Sequence, residues 1–146
     1  MSKSYIYDDI YIGTIDDALA EKEMTIVTVL ENSNAEYLET KMAELREKWT
    51  YNFPVFNDAT DEFNICELEA LASWMRRRKS TFDTKKGVLV HCWSGIERSP
   101  FAVAWILFRN YPDKFSTFDE AYSLVKEKRP ETQDRKVWLP SWIRLI

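Results

Sequence analysis

Nine residues constrain this chain more than any others: His91-Cys92-Trp93-Ser94-Gly95-Ile96-Glu97-Arg98-Ser99. They follow Gly87-Val88-Leu89-Val90, a short apolar run that reads as a buried strand over 87–91. They precede Pro100 to Phe108, which reads as an apolar helix over 99–110. A cysteine and an arginine five residues apart, between a strand and a helix, leave room for the backbone to curl into an anion nest. The N–H groups of Trp93, Ser94, Gly95, Ile96, Glu97 and Arg98 are the candidate donors. A helix starting at Ser99 or Pro100 aims its positive end at the same centre. Arg98 can grip two oxygens of a tetrahedral anion with its planar fork. In that field Cys92 is expected to be a thiolate and a strong nucleophile. Of the glycines Gly13, Gly87 and Gly95, the last falls where such a loop must turn tightly.

The flanking patterns say what holds this loop. Tyr5-Ile6-Tyr7 and Ile10-Tyr11-Ile12 read as strands around an Asp8-Asp9 turn. Thr14 is placed to cap a helix through Ala20, with Asp16 and Asp17 in its first turn. Met24 to Leu30 reads as a β-branched strand, Asn34 or Ala35 to Trp49 as a charged amphipathic helix, and Phe53 to Phe56 as a strand ending at the active-site edge. Ile65, Leu68, Leu71, Ala72 and Met75 recur at helical spacing, predicting a helix over 65–79. Thr117 to Lys128 is a further helix, stopped by Pro130, and Arg135 to Leu145 reads as helical with a break near Pro140. Alternating strands and helices predict a single α/β domain over 1–146, with a mainly parallel central sheet flanked by helices. Ligands of such sheets bind off the carboxyl ends of the strands, where the Cys92 loop falls. At 146 residues and 45% hydrophobic content the chain can bury a full-sized core.

Other function classes fit poorly. No apolar run follows the charged start, so no signal peptide is expected. No stretch has the apolar length of a membrane span, and Phe101 to Phe108 is a core helix. Cys66 and Cys92 make neither a disulfide framework nor a zinc site, and no metal or other cofactor is expected. A free thiolate suits a reducing, cytoplasmic setting. The net charge of −4 argues against general nucleic-acid or anionic-membrane binding. Arg76-Arg77-Arg78-Lys79, the one basic cluster, is either the solvated end of a helix or a docking patch for an acidic or phosphorylated partner. Nothing in the sequence sets the oligomeric state.

The frame His-Cys-x-x-Gly-x-x-Arg-Ser at 91–99 resembles the signature of the protein tyrosine and dual-specificity phosphatase superfamily. The resemblance extends over nearly the whole chain. Ile10-Tyr11-Ile12-Gly13-Thr14 with Asp17-Ala18 is similar to that family's first strand and helix, Met24 to Leu30 to its next strand, and Phe53-Pro54-Val55-Phe56-Asn57-Asp58 to the strand and loop carrying its general acid. Lys128-Arg129-Pro130 is similar to the end of its penultimate helix. The size is that of a minimal catalytic core. The resemblance implies that Cys92 attacks phosphorus to form a cysteinyl-phosphate, while Arg98 and the loop N–H groups hold the equatorial oxygens. An acid then protonates the leaving oxygen and its conjugate base activates water. Ser99 would hydrogen-bond the Cys92 sulfur. His91 would orient the loop from behind, or serve as a satisfied core residue. Asp58 and Asp61 are both candidates for the acid. Asp58 directly follows the predicted strand, where the family acid sits, and Glu62-Phe63-Asn64 resembles the segment after it. Either aspartate also fits a turn or a helix cap.

Departures from the pattern carry information. Glu97 replaces the usual Gly or Ser, and a carboxylate beside a bound dianion is costly unless it turns outward to a cation. Trp93 lines either the pocket rim or the core. Positions 93, 94, 96 and 97 carry no Lys or Arg, which argues against a lipid-headgroup substrate. Gln133 is either a water-positioning residue or a surface loop residue. Cys66 is either a trap for oxidised Cys92 or, as its place at a helix start favours, a small core residue. The leading expectation is a small protein phosphatase acting on phosphotyrosine, with phosphoserine and phosphothreonine as further substrates in phosphoproteins. An RNA 5′-phosphatase of the same fold would want a basic groove. A rhodanese-like cell-cycle phosphatase would share the glutamate before the arginine but lack the upstream acid. A phospho-binding module, with Glu97 as the damage, is the non-enzymatic alternative.

Overall fold

The computed structural model describes residues 2–30, 43–45, 50–57, 59–81 and 87–141. Asp58 and nearly all of the helix expected from 34 or 35 to 49 lie outside the described residues. Strands β1 (Ser4–Tyr7) and β2 (Ile10–Gly13) form a hairpin with Tyr5 opposite Tyr11. Asp8 and Asp9 turn it at φ of 49° and 63°, the left-handed pair that a two-residue hairpin needs and that aspartate tolerates. Thr14 caps α1 (Ile15–Ala20) in a reciprocal box with Asp17.

Strands β3 (Thr25–Thr28), β4 (Thr50–Asn52) and β7 (Val88–His91) complete a sheet of order β1-β2-β7-β3-β4, parallel except for the β1–β2 hairpin. All four residues of β7 are buried, as expected of a central strand covered on both faces. Three helices follow the expected periodicities: α2 (Ile65–Thr81), α3 (Arg98–Asn110) and α4 (Phe118–Lys128), the last capped by Thr117. Ser99 through Leu107 of α3 are all buried.

Three expectations need correction. The edge strand is Thr50–Asn52, not Phe53 to Phe56. Pro54 has no N–H for a ladder, so the chain leaves the sheet after Phe53 donates to Thr28 at 2.8 Å, and Val55 and Phe56 are buried outside it. Phe56–Asn57 (β5) instead pairs antiparallel with Glu62–Phe63 (β6) in a separate hairpin. The segment from Arg135 is not a helix as far as residue 141: it makes one 3₁₀ turn, Lys136–Trp138, and Leu139 is extended at φ −68°, ψ 140°. Leu139 precedes Pro140, whose ring disfavours the helical region for its neighbour. The basic cluster is also not wholly solvated. Arg76 and Arg77 are exposed, but Arg78 is buried.

Among the described residues no helix is long and apolar enough to cross a membrane.

Candidate active site

The loop leaves the carboxyl end of β7 and enters α3 at Arg98, one residue earlier than the sequence predicts. Cys92 is buried, with Sγ 3.2 Å from the Oγ of buried Ser99. A serine hydroxyl there can donate to a sulfur anion. His91 is completely buried and lies opposite Thr28 of β3 in the parallel register. Its Nδ1 lies 2.9 Å from the Cys92 carbonyl and its Nε2 lies 2.8 Å from the Thr28 hydroxyl. A carbonyl can only accept, so Nδ1 carries the proton and Nε2 accepts from Thr28. Burial pushes the His91 imidazole down to about 4, against the opposing pull of its bond to the Cys92 backbone. His91 is therefore neutral near pH 7 and holds the loop's first carbonyl. Both expectations for it, loop support and satisfied core residue, describe the same arrangement.

The other loop carbonyls are tied to the surrounding scaffold. Trp93 O accepts from Ile15 N at 3.1 Å, Ile96 O from Gln133 N at 2.8 Å, and Gly95 O from Arg129 Nε at 2.6 Å. Among the described residues no peptide bond is cis, and in a trans peptide N–H opposes C=O. With the carbonyls of Cys92, Trp93, Gly95 and Ile96 turned outward, the N–H groups of Trp93, Ser94, Ile96 and Glu97 face the opposite, inner side. Donors converging in this way could cradle an anion. Gly95 makes the turn at φ +72°, and a Cβ there would lie 2.6 Å from Gly13 O and 2.8 Å from Arg129 Nη2. No side chain fits.

Arg129 is the site residue that sequence reasoning missed. A charged residue at a helix end reads as solvated, yet its side chain is fully buried. Besides Gly95 O, it donates through Nη1 to Ser2 O at 3.0 Å, Ser4 Oγ at 2.9 Å and, more weakly, Ile12 O at 3.4 Å. Burial lowers its guanidinium from the ordinary value, with Glu131 and Asp17 opposing that shift. One side chain thus ties the Cys92 loop to β1 and β2. The signal available was its position beside Pro130, where the helix must end.

Arg98 stands at the first position of α3, with Cζ 5.1 Å from the Phe56 ring centroid. Glu97 Oε1 lies 3.5 Å from Arg135 Nη2, the outward cation that its position requires. Gln133 is exposed. Its backbone anchors to Ile96, and its side-chain oxygen accepts from Arg135. Trp93 is half-buried and packs against the core. Ser94 and Ile96 are half-exposed at the loop. Cys66 is exposed at the second position of α2, not the core residue expected. Leu68 takes the buried face, and Cys66 is turned about 100° from its neighbour Ile65.

Of the two acid candidates, Asp58 lies outside the described residues and Asp61 lies between β5 and β6. Asp61 is exposed at φ +53°, a left-handed position that aspartate fills for backbone reasons alone. Asn57 steadies the turn, its Oδ1 accepting from Ala59 N at 2.9 Å. Among the described residues no cluster of three or more His, Cys, Asp or Glu could hold a metal.

No protein-family model matches the chain, and no curated protein matches it in sequence. Solved structures do. Human DUSP28 is similar at 20% identity and TM-score 0.67, over 98% of this chain and 89% of its own. A mouse putative dual specificity phosphatase is similar at 20% identity and TM-score 0.67, over 98% and 83%. The Yvh1 phosphatase domain from Chaetomium thermophilum is similar at 20% identity and TM-score 0.61, over 91% and 88%. The chain has the α/β fold of the dual-specificity and protein tyrosine phosphatases.

Proposed function

We propose that the protein is a cysteine-dependent phosphatase acting on phosphoproteins in the cytoplasm. The observation that carries the reading is the pairing of Cys92 Sγ with Ser99 Oγ at the base of a loop whose carbonyls are bound outward. The sulfur attacks phosphorus, and the P–O bond to the substrate breaks as an S–P bond forms. Arg98 and the inward N–H groups hold the three remaining oxygens. The general acid, Asp58 in the favoured assignment, gives its proton to the leaving oxygen. Its carboxylate then takes a proton from water, which attacks phosphorus and expels the sulfur. Ser99 donates to the sulfur as negative charge returns to it. The mouse neighbour was solved complexed with zinc tungstate, and tungstate is a tetrahedral oxyanion, as phosphate is.

Substrate class follows from charge. The rim offers no cation from loop positions 93, 94, 96 and 97, and Glu97 offsets Arg135. That favours singly phosphorylated peptides over phosphoinositides or triphosphate RNA. Phosphotyrosine peptides are expected to react faster than phosphothreonine peptides, because an aryl oxide is the better leaving group. Phosphate release from these four substrates tests the reading. A preference for the lipid or the RNA would overturn the substrate class, and Cys92-dependent binding without release would make the protein a phospho-binding module.

A further inference from the structure

We infer that Trp138 is a positioning residue for the leaving-group acid: it holds the strands β5 and β6, which flank both acid candidates, Asp58 and Asp61, in sequence, against the Cys92 loop. The inference rests on the phosphatase reading of the site. Each strand of this hairpin is two residues long, too short to stay in place by its own ladder. Its placement depends on Phe56 and Phe63. Phe63 stacks on Phe101 of α3 with centroids 3.9 Å apart, and Phe56 meets Phe63 edge-on at 5.5 Å. Trp138 meets both rings, with centroids 4.5 Å from Phe56 and 5.7 Å from Phe63.

Trp138 is itself fastened to the loop. Arg135 lies over its ring at 5.0 Å and pairs with Glu97. Tyr122 of α4 accepts from Arg135 N at 3.0 Å and donates to Gln133 O at 3.2 Å. Gln133 N reaches Ile96 O, and Leu139, next to Trp138, is completely buried. The contacts close a circuit from Arg98 to Phe56, Trp138, Arg135 and Glu97, and so back to Arg98. Both ends are adjacent residues of the oxyanion loop. The strands that flank the acid candidates are thus held to α3 by Phe63 on Phe101 and by Phe56 under Arg98, and to the loop's Glu97 through Trp138 and Arg135. A ring that only filled space would depress all substrates alike. A ring that places the acid affects a substrate in proportion to its need for a proton.

The test is kcat/KM for wild type, Trp138→Ala and Trp138→Phe, over aryl phosphates running from a highly acidic leaving phenol to phosphotyrosine peptide. Trp138→Ala should lose at least about tenfold on the peptide, a fraction of the usual worth of general acid catalysis. It should lose under about threefold on the most acidic phenol, where no proton is needed. Its activity should also lose its dependence on an acid at the basic side of the pH profile, and Trp138→Phe should recover most of the loss. Arg135→Gln breaks the circuit at a half-buried link, and should show the same leaving-group pattern at smaller size if Trp138→Ala does not fold. Equal losses on every substrate, or none, would overturn the inference while leaving the phosphatase reading intact. Absence of Cys92-dependent turnover in the wild type would overturn both.

Discussion

Replacing Arg129 by methionine keeps much of the aliphatic stem and removes the guanidinium. The structure sets the magnitude. Three well-formed bonds disappear: to Gly95 O at 2.6 Å, Ser4 Oγ at 2.9 Å and Ser2 O at 3.0 Å. Counted separately at about 1.5–3 kcal/mol each, hydrogen bonds to a charged group would overstate the loss. Burying a guanidinium costs several kcal/mol in desolvation, and that cost vanishes with it. What remains is the penalty of stranding the buried Gly95 carbonyl and, at part-buried positions, the Ser2 carbonyl and the Ser4 hydroxyl. A buried acceptor that loses its donor costs about 1–3 kcal/mol and a part-buried one less, and for the three together we expect about 3–5 kcal/mol from urea unfolding at pH 7. In a domain of this size it corresponds to roughly 6–20 °C in Tm. Arg129→Lys keeps the charge but not the fork, and should fall between methionine and wild type. Below its Tm, Arg129→Met should also bind inorganic phosphate more weakly, because the released Gly95 carbonyl no longer sets the loop's curvature. A loss under about 1 kcal/mol would refute the buried tether. A large loss with unchanged phosphate affinity would mean that Arg129 supports the fold but not the loop.

The remaining predictions concern titration and the acid. The folded-state value of about 4 for His91 lies below the unfolded value near 6.5, so between them only the unfolded chain takes up the proton. This contribution is present above pH 6.5 and is lost as pH falls toward 4, by on the order of 3 kcal/mol. His91→Asn should flatten the decline in urea midpoint between pH 7 and pH 5, and an unchanged slope would refute the neutral, buried imidazole. Asp58→Ala should lower kcat on phosphotyrosine peptides by about 10²–10³ and remove the basic limb of the pH profile. Asp61→Ala should keep both limbs, and the reverse outcome would assign the acid to Asp61.

How far the sequence led depends on the physical signal. The loop was readable because strand, loop and helix each announce themselves: an apolar run at 87–90, a glycine at 95 and an apolar helix beginning beside Pro100. The β1–β2 hairpin and the Thr14 cap were readable because turn chemistry is local. The edge strand was not. Thr50-Tyr51-Asn52 is short and half-exposed, while Phe53-Pro54-Val55-Phe56 has the apolar density of a strand without the N–H that Pro54 would need to supply. Arg129 and Trp138 escaped for another reason. A buried arginine and an aromatic in an irregular segment have no periodicity, and their roles come from partners that lie far off in sequence, such as Ser2 and Phe56. Glu97 is intermediate. Its charge told that a cation must face it, but only the fold brought Arg135 there.

The central claim is that phosphate passes through the sulfur of Cys92. Rapid acid quenching of the protein during turnover of a phosphotyrosine peptide, followed by mass spectrometry of its fragments, tests this most directly. The account predicts one phosphate on the fragment containing Cys92, its disappearance in Cys92→Ser together with turnover, and its retention in Ser99→Ala, where departure of the sulfur is slowed. Turnover that survives in Cys92→Ser at more than about 1% of wild type, or phosphate found on another residue, would contradict it.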